Sequence, residues 1–270
     1  MTTAIVINEE VRRLLEKLDD LKRQSSRLWE KKDDLLTFEK PHLYSLYQTM
    51  IGILQYDEYA LKTELSRLRR KADLLQAAIN RNDRIDETAI EKQLDDEYEE
   101  FKTVLQDHLN SIKAAKEFLE SPGLSQDEVK ELSSDYRLIA KKLHPDINPN
   151  ATEAQKELFV KAIAAYKSCD LNTLRQIVLT LDTNTVENLP VETLEEQIEK
   201  LKGIVETYKK QIASIEEEFP FDYRDRLYDK EWVMKTQDEI QARVEELKKQ
   251  IEQQKQYVQI LKLWKPESLS

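Results

Sequence analysis

The spacing of the apolar residues limits this chain most. Val11, Leu14, Leu18, Leu21 and Leu28 fall at alternating steps of three and four, Ser25 takes the missing position, and Leu35 extends the row. This is a heptad seam, and it predicts a helix over about 8–36 whose apolar edge must meet another helix. The rule returns late in the chain. Leu194, Ile198, Leu201, Val205, Tyr208, Ile212 and Ile215 keep the same steps, and so do Ile240, Val244, Leu247, Ile251, Val258 and Leu261, with Gln254 as the polar exception. Only three of the 270 residues are glycine, and 35% are charged, a composition of helices rather than sheets. The expected fold class is all-α.

Three regions follow from the breaks between these rows. "FEKPHL" interrupts the first, and Pro41 suits the opening turn of a second helix, about 41–82. That helix has a wide apolar face, including Leu43, Tyr47, Ile53, Leu54, Leu61, Leu65 and Leu75, which predicts two neighbours. A third begins at Asp86 or Thr88, the latter at capping-box distance from Glu91. Its stripe runs through Ile90, Leu94, Phe101, Leu105, Leu109 and Ile112 to "ESPG". Residues 1–117 are thus expected as a three-helix coiled coil. Residues 118–181 have shorter helices and loops rich in Pro, Asn and Asp. After the linker "DTNTVENLP", residues 182–270 are expected as a coiled-coil hairpin, antiparallel because the join "FPFDYRDRLYDKEW" is short. A parallel coil between two chains fits the same periodicity.

Charge and composition narrow the function. A net charge of −11 argues against general binding to nucleic acid or to an anionic membrane. The basic stretch "RLRRKADLL", Arg67–Leu75, is expected to pair with acids of the third helix such as Asp95 and Glu97, the other reading being contact with RNA or an acidic partner. No apolar run approaches the roughly 18–20 residues of a membrane span, and "MTTAIVINEE" lacks the basic and long apolar regions of a signal peptide. With Cys169 as the one cysteine there is no intrachain disulfide; its simplest role is a small buried hydrophobe. A cytoplasmic protein is expected. His42, His108 and His144 share no ligand spacing, and there is no carboxylate pair, nucleophile constellation or glycine-rich loop. No metal, cofactor or enzymatic activity is expected. The aromatics Phe219, Phe221, Tyr223, Tyr228 and Trp232 fit either a binding knob or a small core.

The middle segment carries the most specific signal. Ser125 with Glu128, and Thr152 with Gln155, have capping-box spacing and open two helices, to about Lys142 and Ser168; Asp170 caps a third. Leu132, Tyr136, Ile139, Ala140 and Leu143 share one face of the first, while Arg137, Lys141 and Lys142 point elsewhere; Phe159, Ala162 and Tyr166 line the second. An antiparallel hairpin with "HPDINPN" exposed at its tip is expected.

"YRLIAKKLHPDINPN" followed by "LFVKAIAAYKS" resembles the J-domain, the module that activates DnaK-type heat-shock ATPase chaperones. Its hallmark His-Pro-Asp corresponds to His144, Pro145 and Asp146. Tyr136, Ala140, Lys142, Asn148, Pro149, Phe159, Ala165 and Tyr166 also match the family pattern. The resemblance implies a non-enzymatic regulator. Arg137, Lys141 and Lys142 would meet an acidic face of the chaperone, Asp146 would accept hydrogen bonds from a partner arginine, Pro145 would stiffen the loop, and His144 would hold or present it. Tyr136, Ala140, Phe159 and Tyr166 would form the J-domain core. The family's Tyr-x-x-Leu-Gly in the first helix is absent, Leu143 replaces a tyrosine, and there is no Gly/Phe-rich linker or CxxCxGxG repeat. The implied class is the heterogeneous third type. Residues Ala114–Leu119 are expected to serve as its first helix, and the coiled coils to position a client or a partner or to mediate self-association. The alternative is a coiled-coil scaffold whose J-like fold no longer activates a chaperone.

Overall fold

The computed structural model describes residues 9–121, 124–148, 151–181 and 191–264. Among them all regular structure is helical: α1 (Glu9–Asp34), α2 (Lys40–Tyr47), α3 (Ile53–Asn80), α4 (Glu87–Glu97), α5 (Glu99–Glu120), α6 (Gln126–Leu143), α7 (Glu153–Lys167), α8 (Leu171–Thr180), α9 (Val191–Glu217), α10 (Arg224–Tyr228) and α11 (Lys230–Lys262). The protein is all-α. The first residues of the chain up to Asn8, Pro149 of the loop and the linker 182–190 lie outside the described residues. No helix among the described residues is long and apolar enough to cross a membrane.

The break expected at "FEKPHL" does not occur. Helix continues from Glu9 to Asn80, with π-helical turns at Leu35–Glu39 and Gln48–Gly52. The Lys40 N–H reaches the Leu35 carbonyl, five residues back. This wider turn lies directly ahead of Pro41, whose ring has no N–H to donate and crowds the carbonyl of an ordinary turn.

The chain divides into two compact units, Met1–Pro41 with Pro122–Asp222, and His42–Ser121 with Tyr223–Ser270. This division differs from the boundaries expected near 117 and 182. In the first unit α1 packs along α9. Leu18 meets Leu194, Ile198 and Leu201, and further along Lys32 donates to Gln211 at 3.1 Å, so the two helices run parallel. In the second unit α11 packs along α3, also parallel: Ile51 meets Ile240 and Val244, and Ala72 and Leu75 meet Val258 and Leu261. Glu58 accepts from Arg243 Nε and Nη2 at 3.0 and 3.2 Å, and these hydrogen bonds hold its carboxyl below the usual range. A heptad seam demands a partner but names neither that partner nor its direction. The arms expected to pair with each other each lie on a helix from the first half of the chain.

Local expectations fared unevenly. Asp86 caps α4, accepting from the Ala89 N–H at 3.0 Å. The basic stretch of α3 does pair with α4: Arg67 reaches Glu91 at 2.7 Å and Asp95 at 3.0 Å, Arg70 reaches Glu97 at 2.9 Å, and Lys71 bonds Glu91. Phe101, expected in the stripe of the third helix, is exposed. Cys169 is exposed rather than buried. Its φ of 56° makes it the left-handed residue that ends α7, with the Asp170 N–H bonded to the Ala165 carbonyl at 2.8 Å. Of the tip aromatics, Phe221 is buried, Tyr223 and Trp232 lie 5.9 Å apart beneath Arg226, and Tyr228 is exposed.

Candidate functional site

The loop bearing His144 rests on a small core within the first unit. Both capping boxes form, Ser125 with Glu128 and Thr152 with Gln155, and they fix where α6 and α7 start. From those starts the helical period brings Leu132, Tyr136, Ile139, Ala140 and Leu143 of α6 against Phe159, Ala162, Ala165 and Tyr166 of α7, all buried. Leu171, Leu174 and Ile177 of α8 close one side. Trp29 of α1 closes another, its ring 5.0 Å from Tyr136 and 5.6 Å from Phe159. Ala114–Leu119, expected to serve as the first helix of this segment, lie instead in α5 of the second unit.

The tyrosines tie this core to α1. Tyr136 and Tyr166 stack with centroids 3.9 Å apart at 13°. The Tyr136 hydroxyl donates to Asp33 Oδ2 at 3.2 Å, and that of Tyr166 donates to Asp34 Oδ1. Burial pushes both phenols up, and it raises Asp33 against the opposing hydrogen bond from Tyr136.

The loop is built by its own backbone. The His144 N–H closes α6 on the Ala140 carbonyl at 2.9 Å. The His144 carbonyl then accepts from Ile147 and Asn148 at 3.0 and 2.8 Å, and the Asn148 amide donates to the Lys141 carbonyl at 3.1 Å. The Asp146 N–H donates to His144 Nδ1 at 3.1 Å. That bond requires Nδ1 to be the unprotonated nitrogen, so the neutral ring carries its proton on Nε2.

The expectation of an exposed tip fails for His144, which is 6% exposed. Its ring sits between Trp29 and Phe159, edge-on, with centroids 5.0 and 5.1 Å away. An apolar cage withholds water from an imidazolium, so burial lowers its pKa; Asp146 opposes the shift and Lys32 adds to it. Pro145 is exposed and Asp146 partly so. Asp146 Oδ2 accepts from the buried Tyr208 hydroxyl of α9 at 2.8 Å, and burial followed by this bond pushes the phenol up. Lys32 Nζ lies 4.9 Å over the Tyr208 ring. Arg137 and Lys141 are exposed on α6, and Lys142 is half-buried. Arg137 Nε is 3.3 Å from Glu30 Oε2 of α1; burial raises Glu30 more than Arg137 lowers it.

Five residues at this site escaped the sequence patterns: Trp29, Glu30, Asp33, Asp34 and Tyr208. Tyr208 was visible only as a seam position. Trp29 stands beside seam residue Leu28, and the one available hint was a bulky aromatic widening a narrow stripe. The acids look like an ordinary solvated face.

His144 Nδ1 is occupied by its own loop, which leaves Nε2–H as the ring's remaining donor. Among the described residues no cluster of three or more His, Cys, Asp or Glu could hold a metal ion. One pH effect follows. His144 is expected to titrate below its ordinary value of 6.5 in an NMR titration. The unfolded chain then binds a proton between 6.5 and the native pKa that the native state refuses, so stability is lost as pH falls through that window and is unaffected above it. His144→Gln should lack this component of the pH dependence; the acid-side changes from Glu30 and Asp33 have the opposite sign and remain in both proteins.

Compared with known proteins, the chain matches no family model, no curated protein and no solved structure.

Proposed function

We propose that the chain is a cytoplasmic, non-enzymatic J-domain co-chaperone that binds and stimulates the ATPase of a DnaK-type chaperone through His144, Pro145 and Asp146. The observation that carries this reading is the setting of the tripeptide. It lies in a tight loop between two capped helices, with Arg137 and Lys141 exposed on the helix before it. The cationic side chains would speed and orient encounter, and Asp146 would accept charge-assisted hydrogen bonds from the chaperone. Binding biases the chaperone toward hydrolysis, an allosteric effect on a second protein. The coiled helix pairs would position a client or partner.

The test is single-turnover ATP hydrolysis by a DnaK-type chaperone from the same host. The full chain is expected to raise the rate, and His144→Gln to remove about nine-tenths or more of that rise while keeping its helical circular dichroism. Absence of stimulation by the wild type at saturation would sink the reading.

The burial of His144 favours a second reading, a coiled-coil scaffold whose loop is structural. It predicts that wild type and His144→Gln behave alike in cells, and that only charged residues placed in a seam cause loss.

A further inference from the structure

Three of the groups assigned to the chaperone, His144, Asp146 and Arg137, already have partners inside the first unit. Tyr208 donates to Asp146 at 2.8 Å, Trp29 covers the His144 ring at 5.0 Å, and Glu30 lies 3.3 Å from Arg137. All three partners come from the parallel pair α1 and α9. Their chemistry answers the loop group by group: a hydrogen-bond donor for the carboxylate, an aromatic edge for the imidazole, a carboxylate for the guanidinium. Tyr208 is itself 7% exposed, so its hydroxyl has little access to water as an alternative partner. A chaperone arginine reaching for Asp146 would compete with that hydroxyl. One using His144 would have to displace Trp29 or draw the loop away from it.

From this we infer that the α1–α9 pair is an internal cover of His144 and Asp146, holding the protein in a closed state that must open before a DnaK-type chaperone can engage. The inference rests on the co-chaperone reading and adds regulation to it. The closed state lowers apparent affinity by the fraction of molecules open at any moment. A hydrogen bond to a charged group is strong enough to shift such an equilibrium about tenfold. Tyr208 is the residue to change, because phenylalanine keeps the ring in the seam and removes only the donor.

Two readouts on the 270-residue chain test this. In amide exchange, Tyr208→Phe is expected to speed exchange at Asp146, Ile147 and Asn148 about tenfold, with the amides in the middle of α6 unchanged. In single-turnover ATPase assays, the same variant should lower the concentration giving half-maximal stimulation of a DnaK-type chaperone by about tenfold. Glu30→Gln should shift it the same way by less, since its partner is more than half exposed. Faster exchange together with stronger stimulation supports the cover. Unchanged exchange in Tyr208→Phe overturns it. Faster exchange with stimulation equal to the wild type overturns the gating while leaving the co-chaperone reading intact. Faster exchange with no stimulation by any variant overturns both.

Discussion

Trp29→Ala is expected to lower the unfolding free energy of the first unit by about 3–5 kcal/mol. Trp29 is 7% exposed and touches the core from a different helix than the ones that form it, with ring contacts to Tyr136, His144 and Phe159. Alanine removes the apolar transfer energy of the indole and leaves a cavity. The surrounding residues cannot refill it, because Tyr136 and Tyr166 are held by Asp33 and Asp34. The cavity opens beside His144. Water admitted there removes part of the desolvation that depresses its pKa, so the His144 midpoint should move up toward 6.5. Denaturant unfolding measures the first effect and an NMR titration the second. A loss below about 1 kcal/mol would mean that Trp29 is surface decoration rather than core.

Ile198→Asp is expected to cost about 4 kcal/mol or more at pH 7. Ile198 is 4% exposed among Leu18, Leu194 and Leu201, where α9 meets α1. The substitution removes a branched apolar side chain and puts a carboxylate in its place without a donor. Such a carboxyl has a native pKa above its unfolded value. Its cost is therefore present above the native pKa and is relieved as pH falls through it, so the deficit should shrink between pH 7 and 5. Denaturation at the two pH values, with amide exchange over α1 and α9, checks this. Glu196→Gln, on the exposed side of the same helix, should be nearly neutral. Equal effects of the two substitutions would refute the α1–α9 seam.

The two substitutions show how differently parts of the molecule could be read. Ile198 was legible because burial on a coiled helix follows a period, and a period is a property of sequence. The caps at Ser125, Thr152 and Asp170 were legible because each is a bond between residues three apart. Trp29 was not, because nothing within its own helix says that an indole will close a core more than a hundred residues away. Pro41 misled for a related reason. A proline is a reliable helix start when the ordinary turn is the only alternative, and the π-helical turn at Leu35–Glu39 supplied another.

The loop divides along the same line. Its position between α6 and α7, its cationic neighbours and its own turn came from the order of residues, since the bonds described within the loop join residues at most seven apart. Whether it is open did not. Tyr208 and Asp146 are separated by 62 residues, and Trp29 and His144 by still more. Local order along the chain determined the helices, their apolar faces and the His-Pro-Asp turn, because those depend on spacing within a few residues. Only the tertiary structure decided which helix lies on which, that the pairs run parallel, and that His144 is covered. Those outcomes depend on which of several chemically equivalent apolar stripes meet, and an apolar stripe carries no label for its partner.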